Sequence, residues 1–222
     1  MEFSHQHLSE VISTNDYLWE LSSKQLLPDF HTISADFQLK GKGQENNNWE
    51  SKRGKNILLS TLIHPQMLPA SHAYQISRWA SVSLISYLQA KGLQELRIKW
   101  PNDIYVGSKK IAGILIQNSM SGENLSKSMV GIGLNINQLN FVSEAPNPIS
   151  LQQLTGINYV IEEEISILLQ YLQSHYLWII EKPQHLVNTY HDLLLQQNEW
   201  CSYQTARGKL DGRIKGVDQF GR

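Results

Sequence analysis

The run Lys99-Trp100-Pro101-Asn102-Asp103, with Lys110 seven positions beyond Asp103, holds residue types suited to anion chemistry. Proline fixes φ and has no N–H, so a strand arriving at Pro101 cannot continue as the middle of a ladder. The chain is forced out of the sheet at Asn102-Asp103, which leaves an amide and a carboxylate at a strand end. A hairpin between residues 104–106 and 111–117 brings Lys110 back to the same end. Its ammonium is a compact charge suited to a carboxylate or a phosphate. Lys109 points to the opposite face of the strand. Spacing alone leaves a second reading open, an exposed hairpin with ordinary surface charges.

Two glycine pairs can bring backbone close to a ligand. In Gly41-Lys42-Gly43-Gln44 the glycines let N–H groups turn toward an anion, although a short Gly-x-Gly is common in ordinary loops. Trp49, in the same loop, is either a lid on an aromatic ligand or an anchor to the core. In Gly131-Ile132-Gly133-Leu134-Asn135, glycine weakens a strand unless it forms a bulge or something must come close. The sharp reading is a flat ligand there, with Asn135 bonding a base or a phosphate. The eight histidines show no metal-ligand spacing. Cys201, the single cysteine, cannot form an internal disulfide and is expected to be a half-buried small residue.

The elements that position these groups follow from hydrophobic period. Ser13-Thr14-Asn15-Asp16 suits a helix start, with Leu18, Leu21 and Leu26 carrying the helix toward Pro28. Ile33, Ala35 and Phe37 alternate with Ser34, Asp36 and Gln38 as in a half-buried strand. Residues 40–55 lose all period and form a loop of 16 residues, a length usually tied to function or disorder. Strands are expected at 57–63, 96–100, 104–106, 111–117 and 128–135, with a tight turn at Gly107-Ser108 and another at Gly122-Glu123-Asn124. Helices are expected from Ala73 to before Gly92, at 162–181 and at 183–199. Strands in series with short connections, flanked by helices, give an α+β fold with a mixed, largely antiparallel sheet. Residues 200–206 and 209–217, turned at Arg207-Gly208, look like the opening strands of a small β unit. The expected organisation is a main domain over 1–199 and an incomplete β domain over 200–222.

Composition sets the class. The chain has 222 residues, 41% of them apolar and 18% charged, enough for one sizeable core. A net charge of −1 provides no global field toward nucleic acid or an anionic membrane. There is no cationic leader before an apolar run, and no apolar stretch near the roughly 20 residues of a membrane span. A cytoplasmic protein is expected.

These motifs, in this order, resemble the catalytic domain of biotin–protein ligases over residues 11–154. The most specific part is the run ending in Asp103, then Lys110, then Ala112-Gly113-Ile114-Leu115. Ser13-Thr14-Asn15, Gln38 and Gly131-x-Gly133-x-Asn135 also match the family. The resemblance implies that biotin's carboxylate attacks the α-phosphate of ATP, and that a carrier-protein lysine then attacks the biotinyl-AMP anhydride. It implies Lys110 at the carboxylate and α-phosphate, with Asp103 either orienting it or helping to deprotonate the incoming lysine. Ser13, Thr14, Asn15 and Gln38 would line the biotin end, with Lys42, Gly43 and Gln44 closing on it. Gly41, Gly43, Asn47, Trp49, Asn102 and Asn135 would hold the nucleotide. Mg²⁺ is expected with ATP, bound through phosphates and water. A biotin carboxyl carrier protein is the expected partner, DNA and membrane are not, and a homodimer is compatible with the sequence.

The sequence departs from the family in its loop. The commoner loop reads Gly-Arg-Gly-Arg-x-Gly-Arg; here the positions are Gly41, Lys42, Gly43, Gln44, Glu45, Asn46 and Asn47. Three forked cations are lost, so weaker holding of biotinyl-AMP is expected. Twelve residues precede Ser13, too few for the DNA-binding domain some family members carry. The tail resembles the start of the family's SH3-like C-terminal domain. Two other readings remain. One is a lipoate- or octanoyl-transferring relative; the other is a biotin-binding module that no longer activates ATP.

Overall fold

A computed structural model describes residues 4–44, 47–142, 147–205 and 208–222. Seven strands form one mixed sheet in the order β1-β2-β3-β7-β6-β5-β4. β1 (His5–Leu8) and β2 (Thr32–Ala35) pair in parallel. β3 (Ile57–Ile63), β7 (Asn124–Leu134), β6 (Lys109–Ser121), β5 (Asp103–Val106) and β4 (Leu96–Lys99) follow antiparallel. The fold is α+β, as the sequence predicts.

The two faces of the sheet are covered unequally. On one face α2 (Tyr74–Ala90), α4 (Ile161–Tyr176), α5 (Trp178–Glu181) and α6 (Pro183–Asp192) build the main core with Ile57, Leu59, Ile104, Val130 and Ile132. α2 is buried nearly all round, including the small Ser77, Ser81 and Ser83 and also Arg78, whose guanidinium donates to the Val217 and Asp218 carbonyls. On the other face lies α1 (Thr14–Lys24), whose Leu18 meets Ile33, Leu62 and Met129 in a separate small cluster. α1 covers only part of that face, and the pocket opens beside it. Among the described residues, no helix is long and apolar enough to cross a membrane.

Several local expectations are corrected. α1 ends at Lys24 with Gln25 as its cap, and Leu26 is 96% exposed instead of extending the apolar stripe. β2 is buried at all four positions, not half-buried. Its polar side chains are satisfied inside, Thr32 on Thr61 and Ser34 on the imidazoles of His5 and His7. The last helix stops at Asp192, not 199, because Leu194 leaves to bridge Ile98 of β4. Gln196 and Asn198 then take positive φ, which a helix does not allow. A short helix, α3 (Leu151–Thr155), was not expected from the sequence; a Ser150–Gln153 capping box starts it.

β8 (Cys201–Thr205) and β9 (Gly208–Gly212) pair only with each other, in a second sheet. The chain after them returns to the body, where Val217 joins the main core. The expected turn at Arg207 lies outside the described residues. So do Glu45 and Asn46, two of the loop positions compared with the family.

Candidate active site

A β-bulge decides where Lys110 points. Tyr105 of β5 faces Lys110, and Ile104 faces Ala112, so Ile111 is the extra residue between them. Ile111 and Ala112 are both fully buried in the main core. The alternation is thereby shifted by one, and Lys110 and Gly113 share the opposite, pocket face. Gly107 takes φ +56° in the turn that returns the strand, as expected of a glycine-first hairpin. Lys110 is pinned by its backbone as well: its N–H donates to Asn147 O and its carbonyl accepts from Ile149 N–H, each at 2.9 Å.

The side chain of Lys110 meets Asp103 at 2.7 Å, with about four-fifths of each buried. Pro101 ends β4 as predicted, and the chain turns through Asn102 into β5. Asn102 clasps β6, donating from Nδ2 to Ile114 O at 3.0 Å and accepting from Ile114 N–H at 2.9 Å. The sequence pattern thus places a cation and a carboxylate together at one strand end.

At the α1 end of the pocket the wall is polar and buried. Ser13 caps α1, and its Oγ accepts from Asp16 N–H at 3.4 Å. Gln38 Oε1 accepts from Thr14 N–H at 2.7 Å and from Thr14 Oγ1 at 3.1 Å, leaving the Gln38 NH2 as a donor. Asn15 Nδ2 donates to Leu115 O at 3.1 Å. Ser60 Oγ lies 2.8 Å from Thr14 Oγ1 and 2.5 Å from Asn15 Oδ1. The Thr14 hydroxyl donates to Gln38 Oε1 and the Ser60 hydroxyl can donate to Asn15 Oδ1, so Thr14 Oγ1 and Asn15 Oδ1 keep lone pairs on the cavity wall that could accept a ligand N–H. Ser60 was missed in the sequence; its signal is a lone serine-threonine pair inside an otherwise apolar buried strand.

The glycines of β6 and β7 clear space, but for the protein's own side chains. Gly113 and Gly133 are cross-strand partners, and the Trp49 indole lies over both. A Cβ on Gly133 would sit 2.5 Å from the ring, and one on Gly113 3.1 Å from it. A Cβ on Gly131 would sit 2.7 Å from Asn15 Oδ1. The flat group predicted against these glycines is therefore the indole itself, and a ligand would stack on the indole. Lys110 Nζ is 5.5 Å from the same ring centroid. Trp49 Nε1 is buried with no partner among the described residues, a donor that costs free energy unless a ligand accepts from it.

The glycine loop is also built differently from the expected anion cradle. Gly43 N–H is used within the loop, on Asn47 O at 2.6 Å, and Trp49 N–H donates to Gly41 O at 2.9 Å. Lys42 pairs with Asn48 as an antiparallel bridge. These residues make a narrow hairpin, fastened to α1 by a Lys42–Asp16 ion pair of 2.7 Å.

Of the residues assigned in the sequence to catalysis, biotin or the nucleotide, all but two line one cavity of about 290 Å³. Gly41 and Asn135 do not. Gly41 is packed behind the wall, its Cβ direction filled by the Trp49 carbonyl at 3.0 Å. Asn135 is buried, and its Nδ2 donates to Ile149 O at 3.1 Å, holding the segment that brackets Lys110. It reaches the site through that segment.

A model of the Biotin/lipoate A/B protein ligase family matches residues 8–135, more than half of the chain. The bifunctional ligase/repressor BirA of Bacillus spizizenii is 30% identical over 139 residues, covering 62% of this chain and 42% of that protein. The biotin–[acetyl-CoA-carboxylase] ligase of Paracoccus denitrificans is 31% identical over 109 residues, covering 47% of this chain and 43% of that protein. The match with each thus spans less than half of the relative's own length. Among solved structures, the biotin protein ligase of Aquifex aeolicus in complex with biotin and ATP superposes with a TM-score of 0.80. That match has 24% identity and covers 98% of this chain and 89% of the other. It shows a shared fold.

Proposed function

We propose that this chain, which belongs to the Biotin/lipoate A/B protein ligase family, uses ATP to join biotin to a lysine of a biotin carboxyl carrier protein through biotinyl-AMP. The observation that carries the reading is the Lys110–Asp103 pair at 2.7 Å, set between a buried hydrogen-bonding wall and an indole platform. A carboxylate oxygen of biotin attacks the α-phosphorus, the bond to the β-phosphate breaks, and pyrophosphate leaves with the electron pair. The carrier lysine then attacks the acyl carbon, and AMP leaves.

Each end of the pocket suits one part of that intermediate. The acceptor lone pairs beside Ser60 and the Gln38 NH2 offer paired hydrogen bonds to a ureido ring. A lipoyl dithiolane would leave these buried groups unmatched, which favours biotin over lipoate. The indole of Trp49 offers a stacking face to the adenine, and its orphan Nε1–H a donor to the nucleotide. Lys110 neutralises charge at the α-phosphate, where both steps concentrate it, and Asp103 orients that lysine. Mg²⁺ accompanying ATP would be held mainly by the phosphates and water and would help neutralise the phosphate charge. Among the described residues, no three His, Cys, Asp or Glu side chains gather to hold a metal by themselves.

The proposed organisation is a catalytic domain over 1–199 and a small β unit over 200–222. A cytoplasmic enzyme is proposed, with neither DNA nor membrane as partner; the sequence is compatible with a homodimer. Biotin-dependent exchange of labelled pyrophosphate into ATP tests the reading. Exchange is expected from the purified chain and a loss of at least about 100-fold from Lys110→Ala. Saturable biotin binding without exchange in the unaltered chain would leave only a binding module.

A further inference from the structure

The pocket face of the sheet continues past Lys110 onto β5 and β4. Arg97 is paired with Tyr105, and Tyr105 with Lys110; Lys99 is paired with Asp103, and Asp103 with Gly113. Paired residues share a face, and Ile98 and Ile104 between them point into the main core. Arg97, Lys99 and Tyr105 therefore stand on the same face as Lys110. Strands lie about 4.8 Å apart, so the two cations are roughly 10 Å from the line of β6.

The chemistry of this strip differs from that of the pocket. Arg97 and Lys99 are exposed, and among the described residues neither lies in an ion pair with a carboxylate. Lys110 and Lys42 are each neutralised, by Asp103 and Asp16. Lys99 Nζ donates to Tyr105 Oη at 3.3 Å and sits 5.2 Å from that ring's centroid. Tyr105 is only 5% exposed, and its own hydroxyl proton has no acceptor among the described residues.

The order of strands gives the strip a direction. The hydrogen-bonding wall lies mainly on α1 and β3, with Asn15 reaching the Leu115 carbonyl of β6; Lys110 is on β6, and the strip on β5 and β4. A nucleophile entering from the wall and a leaving group departing in line lie on opposite sides of the phosphorus. We propose that Arg97, Lys99 and the Tyr105 hydroxyl form a diphosphate subsite, which receives pyrophosphate as it leaves the α-phosphorus. This rests on the adenylate reading above. Two unpaired cations flanking a sunken phenol donor match a compact dianionic or trianionic group better than a broad protein surface.

The test is calorimetric titration of the full chain with magnesium pyrophosphate, comparing the unaltered protein, the double variant Arg97→Gln/Lys99→Gln, and Tyr105→Phe. The double variant is expected to bind pyrophosphate about tenfold more weakly, and Tyr105→Phe about threefold, with biotin affinity unchanged in both. Equal pyrophosphate affinity in all three overturns the subsite. So does a rise in KM for the carrier protein with pyrophosphate binding untouched, which would make the strip a protein-docking face. The two readings fail separately. Absence of biotin-dependent exchange in the unaltered chain removes the adenylate chemistry, whereas unchanged pyrophosphate affinity removes only this subsite.

Discussion

At the α1 end of the pocket, Ser13, Thr14 and Asn15 are nearly fully buried, and Thr14 and Asn15 are tied to Gln38, Ser60 and Leu115 by hydrogen bonds. At the other end, the loop carrying Trp49 is fastened by a Lys42–Asp16 ion pair whose side chains are 48% and 40% exposed, and by an indole resting on two glycines. Exposed ion pairs contribute about 0–1 kcal/mol and are screened by salt, whereas a buried network resists rearrangement because each broken bond leaves a polar group unpaired. One end is thus pre-organised and the other can let go. This suits the proposed reaction, which requires recognition of one small neutral ring together with entry of ATP and release of AMP.

The comparison breaks first at the buried wall. Gly131→Ala places a methyl against Asn15, which is held on two sides and has little room to move. Biotin affinity is expected to fall about 100-fold, roughly 3 kcal/mol, by calorimetry. Unchanged affinity would mean that this network is not where biotin lies. At the loop end, Trp49→Ala removes the stacking platform. The KM for ATP is expected to rise about tenfold with biotin affinity within about twofold. A parallel loss of biotin affinity would show that the two ends are one unit.

Smaller effects sharpen the contrast. Gln44→Arg restores one forked cation to the loop and is expected to slow escape of biotinyl-AMP about threefold, measured by chase with unlabelled adenylate. An unaltered off-rate would mean the lost arginines do not govern retention. The edge strand β1 serves as a region outside the pocket. Burial holds His5 and His31 below the ordinary histidine value of about 6.5; for His5 the neighbouring His7 lowers it further and Glu162 raises it. The unfolded chain therefore takes up these protons first as pH falls. Their contribution is fully present above about pH 6.5 and is lost as the pH drops below it. Thermal denaturation at pH 7.5 and pH 5.5 is expected to show a loss of stability that His5→Gln reduces.

Much of this was legible in the sequence, for identifiable reasons. Pro101 must end a strand, so the position of Asn102 and Asp103 followed from covalent geometry. The Ser-Thr-Asn start of α1 followed from capping chemistry. What was not legible depends on contacts between distant parts of the chain. Period alone cannot show that Ile111 is the extra residue in a bulge, yet that bulge aims Lys110. The glycines at 131 and 133 correctly signalled close approach, but not what approaches, because Asn15 and Trp49 reach them from far along the chain; Gly113, under the same indole, carried no such reading. Asn135 was assigned to the nucleotide from its motif; its buried carboxamide holds Ile149 instead of lining the cavity. Leu26 followed a helical spacing that tertiary packing did not use.

The most direct measurement is to mix the purified chain with biotin and ATP, quench after a single turnover, and look for biotinyl-AMP by mass spectrometry. The adenylate is expected in amounts stoichiometric with enzyme, and is expected to be absent from Lys110→Ala. Biotin bound at the wall with ATP left intact, in the unaltered chain, would contradict activation of biotin at the Lys110–Asp103 pair.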